Sequence, residues 1–190
     1  MRRLAAALVA LPLAFAVGPT FAEEGPPTFS LNAIAAGALS RTNLGFGMLE
    51  GRATFSNHLY IAAGPSVLFL EDGDREYQAR VWATLLARLG PIQLDDRNLW
   101  VFSDAGTTRY RNRLRLTMPL PMNRNTLRLQ LFDEAYYEQG GRGWFRNVVS
   151  AGVGLDAGRA ISVDAYWMLL DDDNRRQASM FQLILTIHLR

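Results

Sequence analysis

Arginine recurs at every second position of one short stretch, and this spacing is the strongest chemical signal in the sequence. The stretch is RYRNRLRL, residues 109–116, with arginines at Arg109, Arg111, Arg113 and Arg115. Side chains two residues apart share one face of a β-strand, so the stretch predicts a guanidinium wall opposite a mostly apolar wall. Such a wall could bind nucleic-acid phosphates, or it could lie inside a small membrane barrel.

The charge balance argues against nucleic acid. All 20 basic residues are arginines, and they face 18 acidic residues. Two of the arginines, Arg2 and Arg3, lie in a predicted signal peptide, and its removal makes bases and acids equal in number. Because a general nucleic-acid binder carries a basic excess, we predict no nucleic-acid partner and expect the arginines to pair with carboxylates.

A secretory signal peptide is predicted at residues 1–22. Arg2 and Arg3 precede the apolar run LAAALVALPLAFAV, and Ala22 stands before two glutamates. The run is shorter than the roughly 20 apolar residues that a membrane helix needs. The sequence therefore predicts cleavage after Ala22 and one β-barrel domain at 23–190, held together without disulfides because cysteine is absent.

Apolar and polar residues alternate through most of the remaining chain, with breaks rich in Gly, Pro, Asn and Asp. We predict ten strands, at 28–38, 43–55, 58–70, 75–88, 93–103, 108–118, 125–138, 144–156, 159–170 and 178–189. The predicted fold is all-β, an antiparallel up-and-down transmembrane β-barrel of about ten strands. A soluble periplasmic lipocalin-like barrel that binds an apolar ligand has the same period and stays an alternative.

Aromatic residues favour the membrane barrel. If the termini lie at the periplasmic end, several aromatic residues fall near the external turns, on the apolar side of their strands. These residues are Tyr77, Tyr110, Tyr137, Phe145, Trp167 and Phe181. They predict an interfacial aromatic belt, which a bilayer requires and a soluble core does not.

Charged residues are predicted to fill the lumen. An arginine on the lipid face near the midplane would cost about 2–4 kcal/mol, whereas a small barrel's interior is packed with side chains. The predicted luminal charge cluster consists of Arg80, Arg111, Arg113, Arg115, Arg128, Glu134, Arg146 and Asp164. A hairpin turn near 119–124 would bring Arg111 close to Glu134, within a register error of about two residues. The predicted role is structural, or the binding or passage of a small solute, and the arginines make a small anion a candidate partner.

Signals for catalysis are weak. His58 and His188 have inward parity but lie at the predicted periplasmic end, whereas an outer-membrane enzyme acting on lipid needs its base at the external leaflet. The sequence has neither a glycine-framed nucleophilic serine nor zinc-ligand spacing. We predict no catalytic residue, no metal and no cofactor, and no enzymatic activity; an outer-membrane lipid-modifying enzyme stays a further alternative.

Several stretches from about residue 75 to the end resemble one family. They are ARVWATLLARLGPIQLDDRN, RYRNRLRL, LQLFDEAYYEQGGRGWFRNVVSAGVGLD and ISVDAYWMLL, in that order. Together they resemble the proteobacterial domain-of-unknown-function 2490 family of outer-membrane-like barrels. The resemblance implies a barrel in the cell envelope. It does not imply any particular activity, because none is assigned to the family. Leu99, Trp100 and Val101 depart from the family's charged pattern, which weakens the case for a charge-cluster role of their strand.

These observations place the predicted barrel in the outer membrane of a Gram-negative bacterium, after export by the signal peptide. The predicted partners are outer-membrane lipid and the barrel-assembly machinery, which every such barrel meets.

Overall fold

The computed structural model describes residues 26–39, 44–70, 73–123, 125–172 and 178–189, so the predicted signal peptide lies outside the described residues. The strands are β1 (Thr28–Leu39), β2 (Leu44–Ser56), β3 (Leu59–Phe69), β4 (Arg75–Leu89), β5 (Ile92–Ser103), β6 (Thr108–Met122), β7 (Asn125–Gln139), β8 (Gly143–Ala157), β9 (Ile161–Asp172) and β10 (Ala178–Leu189). Consecutive strands pair antiparallel, and β1 pairs with β10, which closes the sheet into an up-and-down barrel. Within the described ranges, no helix is long and apolar enough to cross a membrane.

The prediction of an antiparallel barrel with ten strands is confirmed, and β6 is four residues longer than predicted. β6 continues through Met122, whereas the sequence predicted a turn at 119–124 because of its prolines. Pro119 and Pro121 pair with β7, but the ladder between β6 and β5 ends at Thr117. A strand tolerates proline where one of its edges has no neighbouring strand. The N–H group that proline lacks is then not needed for a hydrogen bond of the sheet.

The barrel is polar inside and apolar outside. Its most deeply buried polar side chains face the lumen and include Asn32, Glu50, Thr84 and Asp95. On the outer wall Leu49 is 51% exposed, Leu131 56% and Leu183 48%. A protein that folds in water buries such leucines, whereas a barrel in a bilayer turns them towards lipid.

Two apolar clusters fill part of the lumen on either side of the charged residues. One joins β3, β4 and β5 through Tyr60, Ala62, Trp82, Leu99 and Val101. The other joins β7, β8 and β9 through Phe132, Val148, Tyr166 and Met168. Leu99 and Val101, the apolar residues that follow the charged part of β5, therefore pack inside the barrel.

Two glycines of β8 make room for luminal side chains of β9. A Cβ on Gly152 would collide with the Tyr166 ring, and one on Gly154 would collide with the Asp164 carboxylate. This agrees with the general role of glycine in a strand, which is to allow a close approach.

A bulge between β7 and β8 moves Phe145 into the lumen. Tyr136 pairs with Arg146 but Tyr137 pairs with Trp144, so Phe145 is the extra residue. Phe145 is buried and packs edge-on against Tyr136, while Trp144 is exposed and contacts Tyr137. The prediction that Phe145 belongs to the outer aromatic belt is wrong, because a bulge shifts the two-residue period by one residue.

The other predicted belt residues lie on the outer wall. Tyr77, Trp167 and Phe181 are exposed, and Trp167 stands opposite Phe181 in the β9–β10 ladder. Tyr110 contacts both Trp100 and Trp144, and Tyr137 contacts Trp144. Trp144 thus takes the position that the sequence assigned to Phe145.

Candidate functional site

Arg111 is the centre of one luminal group. Its Nη2 donates to Glu134 at 2.9 Å and to the Tyr136 hydroxyl at 2.7 Å, and that hydroxyl donates to Glu134 at 3.0 Å. The guanidinium also lies over the Tyr136 ring, 4.4 Å from its centroid. The predicted proximity of Arg111 and Glu134 is therefore present, with a phenol completing a triangle of contacts.

Asp95 is the centre of a second group. Its side chain is fully buried, and its Oδ2 accepts a hydrogen bond from Arg115 Nε at 2.6 Å. Arg113 Nη2 lies 3.8 Å from the other carboxylate oxygen. Arg115 also donates to Gln130 at 3.2 Å, which links the β5 carboxylate to β7.

The remaining predicted residues lie towards the two ends of the lumen. Arg128 contacts Asp164 at 2.9 Å and Asp156 at 3.0 Å, on the side of the chain termini. Arg146 makes a two-pronged contact with Asp172, at 2.6 and 3.0 Å, near the opposite end. The predicted cluster is thus a series of paired groups along the lumen rather than one centre.

Arg80 differs from these because its described contacts are not with a carboxylate. It donates twice to Gln78 Oε1, at 3.0 and 2.6 Å, and it lies over the Phe46 ring at 4.1 Å. The charges that act on it include Arg111 and Glu134, which places it beside the first group.

Two arginines stand directly opposite each other in the middle of the lumen. Arg97 of β5 and Arg113 of β6 are register partners, and like charges so placed destabilise a sheet. Arg97 donates to the Tyr60 hydroxyl at 2.9 Å, and its Nε is buried without a partner among the described atoms. Arg113 has buried Nε and Nη2 groups without a hydrogen-bond partner there.

Carboxylates do not balance this region. The charges that act on Arg113 include Arg97, Arg115, Asp95 and Glu134. Two carboxylates face four arginines here: Asp95 accepts from Arg115 and lies 3.8 Å from Arg113, Glu134 accepts from Arg111, and Arg97 donates to a phenol. Among the described residues, positive charge is therefore in excess around Arg97 and Arg113.

The sequence did not identify Asp95 and Arg97 as members of the network. They lie in IQLDDRN, where Asp95 and Asp96 are adjacent acids and Asn98 continues the polar run. Because consecutive residues of this run are all polar, the alternation of apolar and polar residues does not show which of them face the lumen. The available signal was the neighbouring Leu99 and Val101, which are apolar yet share the inward side with both residues.

His188 ties the two ends of the sheet together. Its ring nitrogens lie 2.8 Å from Asn32 Oδ1 on β1 and 3.0 Å from Ser162 Oγ on β9. Ser162 donates to Asp156 at 2.7 Å, and Asn32 donates to Glu50 at 2.9 Å. The Ser162 hydroxyl is thus engaged in a chain of polar contacts that runs from Asp156 to Glu50, at the end of the barrel where β10 finishes.

His58 lies at the β2–β3 turn, where one ring nitrogen is 3.1 Å from the Leu86 carbonyl oxygen. Across the described ranges, no group of three or more His, Asp or Glu residues is arranged to hold a metal ion.

Comparison with known proteins supports the fold. The sequence matches no family model and no curated protein. LpxR from Salmonella typhimurium has a similar structure, with a TM-score of 0.50, 8% identity and coverage of 77% of this chain and 73% of that one. The NanC porin gives a TM-score of 0.47 and 10% identity, over 84% of this chain and 99% of that one.

A bacterial polysaccharide outer membrane secretin gives a TM-score of 0.49 and 8% identity over 85% of this chain. This chain spans 65% of the length of the secretin chain it matches. Identities this low concern the fold alone. The fold that this chain shares with LpxR is therefore the closed antiparallel β-barrel.

Proposed function

We propose that the protein is an outer-membrane barrel whose lumen is closed by its own side chains and holds a small anion between Arg97 and Arg113. The observation that carries this proposal is the opposed arginine pair in the β5–β6 ladder. An anion between the two guanidinium groups would accept their unpartnered N–H groups and neutralise their repulsion. We propose a small carboxylate or phosphate, because both match the planar fork of arginine.

The membrane placement belongs to the same proposal. It is supported by the exposed leucines of the outer wall and by the aromatic residues near the turns. It includes export by the signal peptide at residues 1–22, insertion by the barrel-assembly machinery, contact with outer-membrane lipid, a Gram-negative source and membership of the domain-of-unknown-function 2490 family. The charged lumen argues against a lipocalin-like role, since an apolar ligand would have to displace ion pairs.

Free passage of solutes is not part of the proposal. The apolar clusters and the ion pairs occupy part of the lumen, and a barrel of ten strands is only slightly wider than the eight-stranded barrels whose interiors side chains fill. The role that remains is a barrel with a retained internal anion, which stabilises the wall that holds it.

The test is anion-dependent unfolding of the detergent-folded protein. Acetate or phosphate should raise the denaturant midpoint of the natural chain. At an anion concentration of about 100 times the Kd, the free energy of unfolding should rise by about 2.7 kcal/mol. Arg113→Gln should abolish this gain and should be more stable than the natural chain without the anion, because the like-charge pair is gone.

Arg142→Gln is the matched control, because Arg142 lies in the β7–β8 turn and its side chain is 60% exposed. That variant should keep the full anion response. An equal anion response in Arg113→Gln would exclude the proposed site.

A further inference from the structure

A serine, a histidine and an asparagine follow one another on the luminal side of the β1–β10 seam. Ser162 Oγ lies 3.0 Å from His188 Nε2, and His188 Nδ1 lies 2.8 Å from Asn32 Oδ1. The three residues belong to β9, β10 and β1. A hydroxyl at one ring nitrogen and an orienting group at the other is the arrangement that activates a nucleophile.

The orientation of the Asn32 amide is set by Glu50. Asn32 Nδ2 donates to Glu50 Oε1 at 2.9 Å, and an ionised carboxylate can only accept, so the amide oxygen is the atom that faces His188. Arg52 holds the glutamate in turn, because its Nη2 lies 2.6 Å from the same Oε1. Asn32 and Glu50 are both buried, so this support keeps the amide in one orientation.

The amide oxygen determines which nitrogen of His188 carries the proton. An amide oxygen only accepts hydrogen bonds, so the neutral imidazole of His188 carries its proton on Nδ1. Nε2 then has the free lone pair, and Nε2 is the atom that faces Ser162 Oγ. The tautomer that a general base needs is therefore set by the contacts on the far side of the ring.

The Ser162 hydroxyl has a second acceptor within reach. Asp156 Oδ1 lies 2.7 Å from Ser162 Oγ. Arg128 Nη2 is 3.0 Å from the same carboxylate oxygen, so Asp156 keeps an ionic partner when the hydroxyl turns to His188. The Arg128 guanidinium also places positive charge close to the hydroxyl, which favours the negative charge that develops when an ester carbonyl is attacked.

The group lies at the end of the lumen that carries the chain termini. Ser162 is the second residue of β9, and His188 is the last but one of β10. At this end the side chains of Asp156 and Arg52 are each 31% exposed, whereas Ser162 is 7% exposed. Water therefore borders the group, and only a small acyl group has access to the hydroxyl.

We propose that Ser162, His188 and Asn32 form a nucleophilic site that hydrolyses acetyl esters of water-soluble alcohols. Ser162 Oγ attacks the carbonyl carbon while His188 Nε2 takes the hydroxyl proton. The ester C–O bond then breaks, and His188 returns the proton to the oxygen of the leaving alcohol. Water attacks the acetyl-serine in the same way: its proton passes through His188 to Ser162 Oγ, and acetate leaves.

Such a site departs from the sequence-based prediction of no catalytic residue. Ser162 and His188 are 26 residues apart, and His188 and Asn32 are 156 residues apart, so only the register across the closed seam brings them together. The site is independent of the anion proposed between Arg97 and Arg113.

Methanesulfonyl fluoride is the probe, because it is small and an activated serine replaces its fluoride with an oxygen–sulfur bond. The chain has no cysteine, so no thiol competes for the probe. The protein folded in detergent should gain one methanesulfonyl group at Ser162, located by mass spectrometry of its peptides. The unfolded protein should gain none there, because its seam is open. Absence of labelling at Ser162 in the folded natural chain would overturn the proposal.

Hydrolysis of p-nitrophenyl acetate measures turnover at the same site. The folded natural chain should release nitrophenolate faster than Ser162→Ala. Ser150→Ala is the matched control, because Ser150 is another buried luminal serine and donates to the Trp167 carbonyl oxygen instead of facing an imidazole. This control should keep the natural rate, and equal rates for Ser162→Ala and the natural chain would contradict hydrolysis by Ser162.

Replacement of the histidine separates an activated serine from one that is merely accessible. His188→Gln should slow the labelling of Ser162 by about 10²–10⁴-fold, the usual contribution of a general base. His58→Gln changes the histidine of the β2–β3 turn and should leave the labelling rate unchanged. Equal labelling rates for His188→Gln and the natural chain would show that His188 is not the base.

Asn32 acts through His188, so its positioning role is tested by exchange of two side chains. Asn32→Leu should slow the labelling of Ser162, because nothing then sets the tautomer of His188. Asn32→Asp with Glu50→Gln keeps an acceptor for His188 Nδ1 and a donor behind it, and should restore the labelling. Folding of each variant is checked by heat-modifiable mobility, and labelling of the natural chain decides the matter where a variant does not fold. Equal labelling of the two folded Asn32 variants would overturn this positioning role.

Discussion

The guanidinium of Arg111 contacts a carboxylate and a phenol at once, inside a wall that has little access to water. Glu134 accepts from both partners and is 5% exposed. Removal of one member of such a buried pair leaves the other charge without compensation, whereas removal of both members does not.

Arg111→Leu should destabilise the barrel by about 3–5 kcal/mol, and Glu134→Leu should cost a similar amount. The double variant should be more stable than either single variant, because no uncompensated charge remains. The measurement is denaturant unfolding in detergent for both single variants and the double.

A matched comparison is Arg142→Leu, which removes a contact of 3.9 Å between Arg142, whose side chain is 60% exposed, and Glu138. Exposed pairs contribute about 0–1 kcal/mol, so this change should be nearly neutral. If the two luminal single changes were merely additive in the double variant, the Arg111–Glu134 pairing would not stabilise the fold.

Whether a side chain faces the lumen or the outer wall was predictable only where apolar and polar residues alternate without a break. Arg111, Arg113 and Arg115 alternate with Asn112 and Leu114, and their luminal side follows from that pattern. Asp95 and Asp96 are chemically identical neighbours, and only the closed barrel shows that one is buried inside and the other lies on the outer wall. Pairing across strands adds information that the local pattern lacks.

Strands were the most predictable elements of this chain. Their ends fall at glycine, proline, asparagine and aspartate, residues that favour turns for known steric reasons. Gly90 illustrates this, because its φ of 61° at the β4–β5 turn is accessible to glycine at little cost. The bulge at Phe145 could not be predicted because Trp144 and Phe145 are adjacent aromatic residues in the stretch GRGWFRN. The local pattern therefore does not show which of the two faces outward.

Arginine substitutions at two depths of β10 distinguish a membrane barrel from a barrel in water. Leu183→Arg places a charge on the outer wall near the middle of β10, and Ser179→Arg places one on the same face near the β9–β10 turn. In a bilayer the cost of arginine depends on depth, about 2–4 kcal/mol at the midplane and about 0–1 kcal/mol near the interface. Leu183→Arg should therefore reduce the folded yield in lipid vesicles, and Ser179→Arg should not.

Both positions are exposed, so a barrel that works in water would tolerate both changes. Folded yield is read from heat-modifiable mobility after refolding into vesicles. Equal yields for the two variants would contradict the membrane placement.

At the scale of the whole molecule, the barrel has two ends with different turns. The ends of β1 and β10 that carry the chain termini lie together with the β2–β3, β4–β5, β6–β7 and β8–β9 turns. The luminal groups around Arg146 and Arg128 lie towards opposite ends. Orientation in the membrane decides which group meets the cell exterior.

The topology prediction uses the absence of cysteine, which makes any introduced thiol unique. Ala105→Cys and Arg142→Cys lie in turns of the end opposite the termini, which we expect outside the cell. Both should react with an impermeant thiol reagent in intact cells. Asn57→Cys and Arg159→Cys lie in turns of the other end and should react only after lysis, and the reverse pattern would invert the proposed orientation.

The β1–β10 seam has a consequence for the order in which the barrel assembles. All other strand pairings join neighbours in the chain, whereas the contact of His188 with Asn32 spans 156 residues. Pairings of low contact order form early, and the closure of a long loop is delayed by its entropy. Until the seam forms, β1 and β10 are open edges that can pair with another copy. Dilution during refolding should therefore favour closed barrels over intermolecular aggregates, and the contact of His188 with Asn32 should be among the last to form.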